Sequence, residues 1–237
     1  MKPAILTVES LNKKFYLHEQ KAVIPSFEDV NLKVYPGKLT ALVGPTGCGK
    51  TSILKCIYRT YLPQKGKILY LDANGRTIDL TKISEQSVLY LRKNEISFVT
   101  QFLHCLPRKK AIDVVSEPLI SNLWSKSDAY DAAAKILKIL NIPERLWHIP
   151  PATFSGGEKQ RINLAKGLIL RPRLLLIDEP TASLDPDTTE KVIDLIIKIK
   201  HEGVGIVAIF HHPHIIERLA DDVVNIDQNL SNKTVYK

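Results

Sequence analysis

The stretch Gly44–Thr51 reads GPTGCGKT and directly follows the apolar run LTALV at positions 39 to 43. It matches the pattern G-x-x-x-x-G-K-[ST], in which glycines let successive backbone N–H groups turn toward a polyphosphate. We expect Lys50 to reach the β- and γ-phosphates, and the hydroxyl of Thr51 to hold Mg²⁺. A helix that begins near Lys50 directs its positive dipole end at the anion. The pattern predicts a nucleotide site, with a Gly-rich turn as the alternative, at Gly44, Pro45, Thr46, Gly47, Cys48, Gly49, Lys50, Thr51 and Ser52.

The composition predicts an ordinary globular protein. The chain has 237 residues, of which 44% are hydrophobic, and this is enough for a sizeable core. No window approaches the roughly 18 to 20 uninterrupted apolar residues of a membrane span, and the N-terminal residues lack a secretory apolar region. Cys48, Cys56 and Cys105 are an odd number without metal-ligand spacing. We therefore expect reduced thiols in a cytoplasmic protein.

The net charge of +8 permits a nucleic acid, an anionic membrane surface or an acidic protein as partner. The basic residues are spread along the chain, and no basic stripe is interleaved with aromatic residues as in a base-stacking groove. We therefore expect no nucleic-acid partner, no direct membrane insertion, and a basic face that docks on another protein.

Apolar patterns predict an α/β fold with one insertion. Positions 5–10, 11–17 and 27–34 alternate as short strands of a half-exposed antiparallel sheet. Uniformly apolar runs predict buried parallel strands, and helical spacing predicts helices at 111–122 and 127–140, the second capped by Ser127. This helical stretch interrupts the strand–helix alternation. We expect a helical subdomain at about 105–160, inserted in a single domain that spans 1–237.

Polar side chains follow two of the buried strands. Asp178 and Glu179 end the apolar run at 174–177, where two carboxylates are costly unless a cation or a reaction needs them. We expect Asp178 to complete the Mg²⁺ shell that Thr51 begins, and Glu179 to orient or deprotonate the water that attacks the γ-phosphate. Gln101 follows another strand and is placed to sense Mg²⁺ and the γ-phosphate. A solvated acidic pair is the alternative.

Two further features suggest contacts with a nucleotide. Ser155, Gly156 and Gly157 place backbone N–H groups and a hydroxyl at a helix N-terminus, which forms a second anion site. The neighbouring aromatics Phe15 and Tyr16 could each offer a flat face to adenine. A strand aromatic packed in the core is the alternative for both of them.

The order of these motifs resembles that of an ABC-type ATPase over nearly the whole chain. FSGGEKQ at 154–160 resembles the family's signature, and LLLIDEP at 174–180 resembles its second nucleotide motif. The stretch 182–185 resembles the dimer-communication loop, Gln101 the Q-loop and His211 the switch histidine. The resemblance implies a P-loop NTPase core with a mixed, mainly parallel sheet, an antiparallel β subdomain and an inserted α-helical subdomain. It also implies ATP and Mg²⁺ as cofactors.

In that family, two such domains pair head to tail, as a homodimer or with a related subunit. The resemblance implies that Ser155 and Gly157 contact the γ-phosphate of a nucleotide held by the second domain, with Asp185 across the interface. His211 would contact the γ-phosphate beside Glu179. Phe15 matches the adenine-stacking position better than Tyr16. A metal site at His211, His212 and His214 is an alternative that Pro213 disfavours, because it breaks any i, i+4 pairing.

Other segments are similar to the L subunits of bacterial carbon–phosphorus lyase systems. They are the stretches at 17–20, 61–63, 101–103 and 141–148. This resemblance implies a role with soluble phosphonate-utilisation core subunits in the ATP-dependent formation of ribose 1-phosphonate 5-triphosphate. No catalytic group beyond the ATPase set is visible. The alternative is the motor of an ABC transporter of the lipoprotein-release or macrolide-export type, whose helical subdomain would contact a membrane permease.

Overall fold

The computed structural model describes residues 3–17, 22–101, 103, 108–182, 184–226 and 235–236. Ten strands lie in this part of the chain: β1 (Leu6–Leu17), β2 (Ala22–Val34), β3 (Leu39–Val43), β4 (Lys65–Leu71), β5 (Thr77–Asp79), β6 (Ile96–Val99), β7 (Leu174–Asp178), β8 (Gly205–Ile209), β9 (Asp222–Asn225) and β10 (Val235–Tyr236). The α-helices are α1 (Lys50–Ile57), α2 (Glu85–Asn94), α3 (Ala111–Ser121), α4 (Lys126–Ile139), α5 (Gly156–Leu168), α6 (Pro186–His201) and α7 (Pro213–Leu219). Two short 3₁₀ turns lie at Glu144–Leu146 and Pro151–Thr153.

The central sheet has the order β6-β7-β8-β3-β9, and every pairing in it is parallel. Its middle strands are apolar on both faces because both faces are covered. In β7, Leu175 and Ile177 pack into one hydrophobic cluster, whereas Leu174 and Leu176 pack into the other. Parallel strands bring their carboxyl ends to one edge, so the loops that follow β3, β6, β7 and β8 meet there.

The second sheet is antiparallel, with the order β10-β2-β1-β4-β5. Where the sequence predicts two short strands, the structure has the single strand β1. Ser10 lies in the left-handed region with φ 45°, and its N–H donates to Asn31 Oδ1 at 2.8 Å. The pairing register shifts between Val8 and Leu11. This irregularity is a β-bulge, which bends the strand without ending it.

The helices at 111–122 and 127–140 are confirmed as α3 and α4, but the predicted N-cap of α4 is wrong. The cap is Ser125, whose hydroxyl accepts a hydrogen bond from the Asp128 N–H at 3.1 Å. Sequence analysis also missed α2 and α7. Each buries only two side chains within the helix, Val88 and Leu91 in α2 and Ile215 and Leu219 in α7, so their apolar periodicity is weak.

Helices α3, α4 and α5 share one hydrophobic cluster with a face of the parallel sheet. Val114 of α3, Leu137 of α4 and Leu164 of α5 are fully buried in it together with Leu175 of β7. The helical region therefore packs directly on the core, and its separation as a subdomain at about 105–160 stays a prediction. In the part of the chain that is described, no helix is both long and apolar enough to cross a bilayer.

Candidate functional site

The loop between β3 and α1 has a backbone path that only glycine permits at two positions. Gly44 has φ 146°, and a Cβ there would lie 2.5 Å from the carbonyl oxygen of Ile226. Gly49 has φ 93°, and a Cβ there would lie 2.5 Å from the carbonyl oxygen of Ser26. Both contacts are closer than any side chain tolerates. Between them, Pro45, Thr46 and Gly47 are exposed, and the loop therefore presents its backbone to solvent.

The N-terminus of α1 lacks a side-chain cap and has no acidic residue in its first turn. The first N–H groups of a helix have no partner within the helix, so they are available to an anion. Lys50, the first residue of α1, is 7% exposed, and its Nζ donates to the carbonyl oxygens of Gly44 at 2.8 Å and Pro45 at 2.9 Å. The ammonium group therefore lies folded over the loop, where it adds positive charge to the free N–H groups. Ser52 is the half-buried third residue of the same helix.

Thr51 and Asp178 meet across the edge of the sheet. The Thr51 hydroxyl donates to Asp178 Oδ1 at 3.1 Å, and Asp178 is only 2% exposed at the end of β7. Burial is the largest cause that raises the pKa of Asp178, and the charge of Glu179 raises it further. The hydrogen bond from Thr51 and the charges of nearby lysines oppose this rise. A buried carboxylate beside a hydroxyl is a pair of hard oxygen donors, and the pair fits Mg²⁺.

Glu179, Gln101 and His211 form one hydrogen-bonded group after the ends of β7, β6 and β8. Gln101 Nε2 donates to Glu179 Oε2 at 3.3 Å, and His211 Nε2 lies 2.5 Å from Glu179 Oε1. Each carboxylate oxygen of Glu179 therefore has a partner. Glu179 also has φ 51°, a left-handed conformation that non-glycine residues seldom adopt and that often marks a functional position.

The start of α5 carries a complete capping box. The Ser155 hydroxyl accepts from the Glu158 N–H at 3.3 Å, while Glu158 Oε2 accepts from the Ser155 N–H at 2.9 Å. The hydrogen bonds that the Glu158 carboxylate accepts from the Ser155 N–H and from the Ser155 hydroxyl lower the pKa of Glu158. A Cβ on Gly156 would meet no atom within 4 Å. Among the described residues, nothing therefore requires glycine at this position, and the space beside it is open. Gly157, the next residue of α5, is half-buried.

Asp185 caps the next helix, α6. Its Oδ1 accepts from the Thr188 N–H at 2.9 Å, and its Oδ2 lies 3.5 Å from Arg161 Nη1 of α5. Hydrogen bonds from the Thr188 hydroxyl and N–H lower the pKa of Asp185. Arg161 therefore links the helix that begins at Ser155 to the segment that precedes α6. Ser183, in the same predicted loop, lies outside the described residues.

The two aromatic candidates have different surroundings. The ring of Phe15 contacts Tyr61 edge-on, with centroids 5.3 Å apart, and the Lys13 Nζ lies 5.0 Å from its centroid. Tyr16 is 58% exposed, because neighbouring strand residues point to opposite faces of a sheet. Tyr61 after α1 is an aromatic that sequence reasoning did not connect with Phe15.

Several predicted features lie outside the described residues. They are His18 to Gln20, Phe102, and the stretch 104–107 with Cys105. Of the cysteines within the described part, Cys48 and Cys56 are free and buried. Among the residues that are described, no group of three or more His, Cys, Asp or Glu side chains could hold a metal ion, although the His212 and His214 rings are 5.6 Å apart.

Sequence reasoning missed two residues that contact this site. Gln160 and Asn163 of α5 are 6% and 7% exposed, and both reach backbone carbonyls at the ends of core strands. The sequence pattern that could have revealed them is two amide side chains three positions apart, on a face of α5 that otherwise buries apolar residues.

Comparisons with known proteins show the family of this chain. The family model described as ABC transporter matches residues 27–182. The lipoprotein-releasing system ATP-binding protein LolD of Hyphomonas neptunium is 37% identical over 196 residues, which are 82% of this chain and 83% of the relative. The L-cystine import ATP-binding protein TcyC of Bacillus subtilis is 30% identical over 94% of this chain and 87% of its own length.

Among solved structures, the chain is similar to a dimeric ATP-binding cassette in a post-hydrolysis state, bound to ADP and Pi. The TM-score is 0.85 at 25% sequence identity, and the match covers 98% of each chain. The fold class predicted from the sequence, a P-loop core with an antiparallel β subdomain, is confirmed. With a family model that matches most of its length and relatives at this level of identity, the chain belongs to the ABC transporter family, as an ABC-type ATPase.

Proposed function

We propose that this chain is the ATP-hydrolysing subunit of a membrane transporter, of the lipoprotein-release or macrolide-export type. The observation that carries the proposal is the contact between Glu179 and both Gln101 and His211, beside the Thr51–Asp178 pair. The similarity to LolD over 82% of the chain favours a transporter as the machine that this site drives. ATP and Mg²⁺ are the cofactors.

The loop and α1 provide the phosphate site in this proposal. The exposed backbone between Gly44 and Gly49 and the uncapped N-terminus of α1 donate N–H groups to the β- and γ-phosphates. Lys50 exchanges its two carbonyl partners for phosphate oxygens. Thr51 and Asp178 hold the Mg²⁺ ion, which when bound neutralises phosphate charge. Phe15 supplies the face against which adenine stacks.

Glu179 is the proposed group that orients the attacking water and accepts its proton. Both of its carboxylate oxygens are occupied here, one by Gln101 and one by His211. Each carboxylate oxygen can accept a further hydrogen bond, so a water molecule can bind the carboxylate beside these two partners. We infer that Gln101 releases Glu179 when its own amide turns to the γ-phosphate and Mg²⁺, and that His211 keeps the carboxylate oriented.

A second ABC domain completes the site. Ser155, Gly156 and Gly157 lie at the start of α5 with its first backbone N–H groups, and beside Gly156 no described residue comes within 4 Å of where a Cβ would lie. We propose that they contact the γ-phosphate of a nucleotide held by the second domain, with Asp185 at the interface. The dimeric arrangement of the structurally similar cassette supports this partner. The helical region at about 105–160 is the proposed contact with the permease.

A second candidate function is the carbon–phosphorus lyase role, with soluble phosphonate-utilisation subunits as partners. It rests on the resemblance of segments such as 141–148. Trp147 in that segment is 8% exposed, and its Nε1 donates to the Ile142 carbonyl oxygen at 3.0 Å. This local packing accounts for the tryptophan without any special partner. The transporter relatives therefore favour the first proposal over the second.

Copurification separates the two functions. The tagged full chain is expressed with its genomic neighbours, and the membranes are extracted in detergent beside a detergent-free lysate. Recovery of a membrane permease in the detergent arm supports the transporter proposal. Recovery of phosphonate-utilisation subunits from the detergent-free lysate, with no permease in the other arm, would replace it with the second function.

Hydrolysis is tested with Glu179→Gln. The phosphate loop and the Thr51–Asp178 pair are unchanged in this variant, so we expect ATP binding to persist. Turnover should fall on the order of a hundredfold or more, because the carboxylate that takes the proton is lost. Closed dimers should accumulate with ATP and be visible by size-exclusion chromatography. Wild-type turnover in this variant would overturn the assignment of Glu179.

A further inference from the structure

Two buried amides on α5 lie beneath the ends of two core strands. Gln160 is 6% exposed and Asn163 is 7% exposed. Their spacing of three residues places them on one side of the helix. Their neighbours Ile162 and Leu164 are fully buried in the hydrophobic core. Since an amide without a hydrogen bond is unfavourable in such surroundings, the contacts of these two side chains indicate what they do.

Each amide contacts the backbone of a residue that follows a strand. Gln160 Nε2 lies 3.5 Å from the carbonyl oxygen of Glu179 and 3.4 Å from that of Pro180, after β7. Asn163 Nδ2 donates to the carbonyl oxygen of Thr100 at 2.5 Å, after β6. Thr100 directly precedes Gln101. One face of α5 therefore contacts the backbone of Glu179 and that of Thr100, the residue before Gln101, and the side chains of Gln101 and Glu179 meet in a hydrogen bond.

The backbone of Glu179 needs such support. Its φ of 51° lies in a region that persists in a non-glycine residue only where the surroundings hold it. The Glu179 N–H donates to the Ile209 carbonyl oxygen at 3.2 Å, so β8 holds one side of the residue. Gln160 contacts the carbonyl on its other side. Loss of the Gln160 donor would remove the contact at the Glu179 carbonyl oxygen and leave the contacts at its N–H and its carboxylate.

We propose that Gln160 and Asn163 are positioning residues: they fix the backbone of Glu179, and that of Thr100 directly before Gln101, to helix α5, whose N-cap is Ser155. The inference rests on the proposed role of Glu179. Helix α5 is a rigid element of 13 residues, with Ser155 as its N-cap. A phosphate of the second domain's nucleotide that binds at Ser155 therefore moves or holds the same helix that sets the hydrolytic group of this chain. Occupancy of one ATP site is in this way transmitted to the chemistry of the other.

The test uses full-length variants that remove a donor at nearly constant size. They are Gln160→Met and Asn163→Leu. The matched control is Ser97→Ala, which removes another side-chain contact between β6 and α5, from Ser97 Oγ to the Gly167 carbonyl oxygen at 2.9 Å. This contact lies near the start of β6 and not at its carboxyl end. We expect kcat to fall roughly tenfold in each amide variant. A misplacement of about 1 Å lowers the rate on the order of a hundredfold, and we expect these variants to displace Glu179 or Gln101 by less than that. The affinity for a fluorescent ATP analogue should stay within about twofold, and the control should keep its kcat.

A double-mutant cycle distinguishes positioning from a merely structural role. In the Glu179→Gln background, Gln160→Met should change the residual single-turnover rate by less than about twofold, because the group through which it acts is already lost. An independent, multiplicative loss would overturn the inference, and so would wild-type kcat in Gln160→Met or a parallel loss of ATP affinity. If Glu179→Gln alone keeps wild-type turnover, the proposed function fails first. If that variant is slow while Gln160→Met is unchanged, only this inference fails.

Discussion

Replacement of Gly156 with alanine should make the protein more stable and at the same time slow its ATP hydrolysis on the order of a hundredfold. Gly156 is the first residue of α5, and a Cβ there would meet no atom of the described part of the chain within 4 Å. It has none of the positive φ values that strain a side chain. Alanine also restricts the unfolded chain more than glycine does. From these terms we expect a gain of about 0.4 to 1 kcal/mol in the free energy of unfolding.

The functional loss has a different origin. In the proposed dimer, the open space beside Gly156 is where a phosphate of the second domain's nucleotide approaches the N–H groups of α5. A methyl group in that space holds the phosphate away by an ångström or more. A misplacement of this size lowers turnover on the order of a hundredfold. ATP binding to the isolated chain should not change, because the loop at 44–51 is untouched.

Urea denaturation and a steady-state ATPase assay measure the two effects on the same preparation. Gly75→Ala is the control, because Gly75 in the β4–β5 turn also has no atom within 4 Å but has φ 76°. This control should lose about 1 to 2 kcal/mol of stability and keep its activity. If Gly156→Ala hydrolyses ATP at the wild-type rate, the proposal that a second domain completes the ATP site is refuted. Lower stability in that variant would refute the reasoning about open space.

Three further outcomes follow from single contacts. Asp178→Asn should raise the free energy of unfolding without nucleotide at pH 7, because burial raises the pKa of Asp178 and its ionisation opposes folding. The same variant should lose Mg²⁺-dependent hydrolysis. Urea denaturation measures the first effect, and an ATPase assay measures the second. Phe15→Ala should weaken binding of a fluorescent ATP analogue roughly tenfold and Tyr16→Ala by less than about twofold; equal effects would contradict the assignment. Burial raises the pKa of Asp221, but hydrogen bonds from the Leu39 N–H, Lys38 and Lys200 outweigh it and hold the pKa low. The stability that these bonds give is present above about pH 4 and is lost as the pH falls through the lowered pKa, so Asp221→Asn should show a shallower loss between pH 5 and 3.

The residues near the phosphate loop were predictable because their signals are local. The glycines at 44 and 49, Lys50 and Thr51 follow one another in a short stretch, and the apolar run before them predicts the strand that presents it. The structure adds a reason that the pattern alone lacks. At each of these glycines a carbonyl oxygen from another segment leaves no room for a Cβ: that of Ile226 at Gly44 and that of Ser26 at Gly49.

The helix boundaries were less predictable, because two residues close together in the sequence can each be suitable as the N-cap. Ser125 and Ser127 are both plausible caps for α4, and only the hydrogen bond from the Asp128 N–H selects Ser125. Helix α7 begins within the histidine-rich stretch 211–214, which suggests a metal site more readily than a helix. Its start at Pro213 fits the preference of proline for the first turn.

The sequence by itself determined the fold class. It also predicted the phosphate loop and the roles of Asp178, Glu179 and Gln101, since each prediction depends on a short pattern or on a position after a buried run. Tertiary structure alone decided how these residues meet. It brings Thr51 to Asp178 from 127 positions away and places Gln101 and His211 on the two oxygens of Glu179. It also sets Gln160 and Asn163 under both strand ends. The physical reason is the parallel sheet, which collects the ends of distant strands at one edge, where no periodicity in the sequence specifies which side chains will touch.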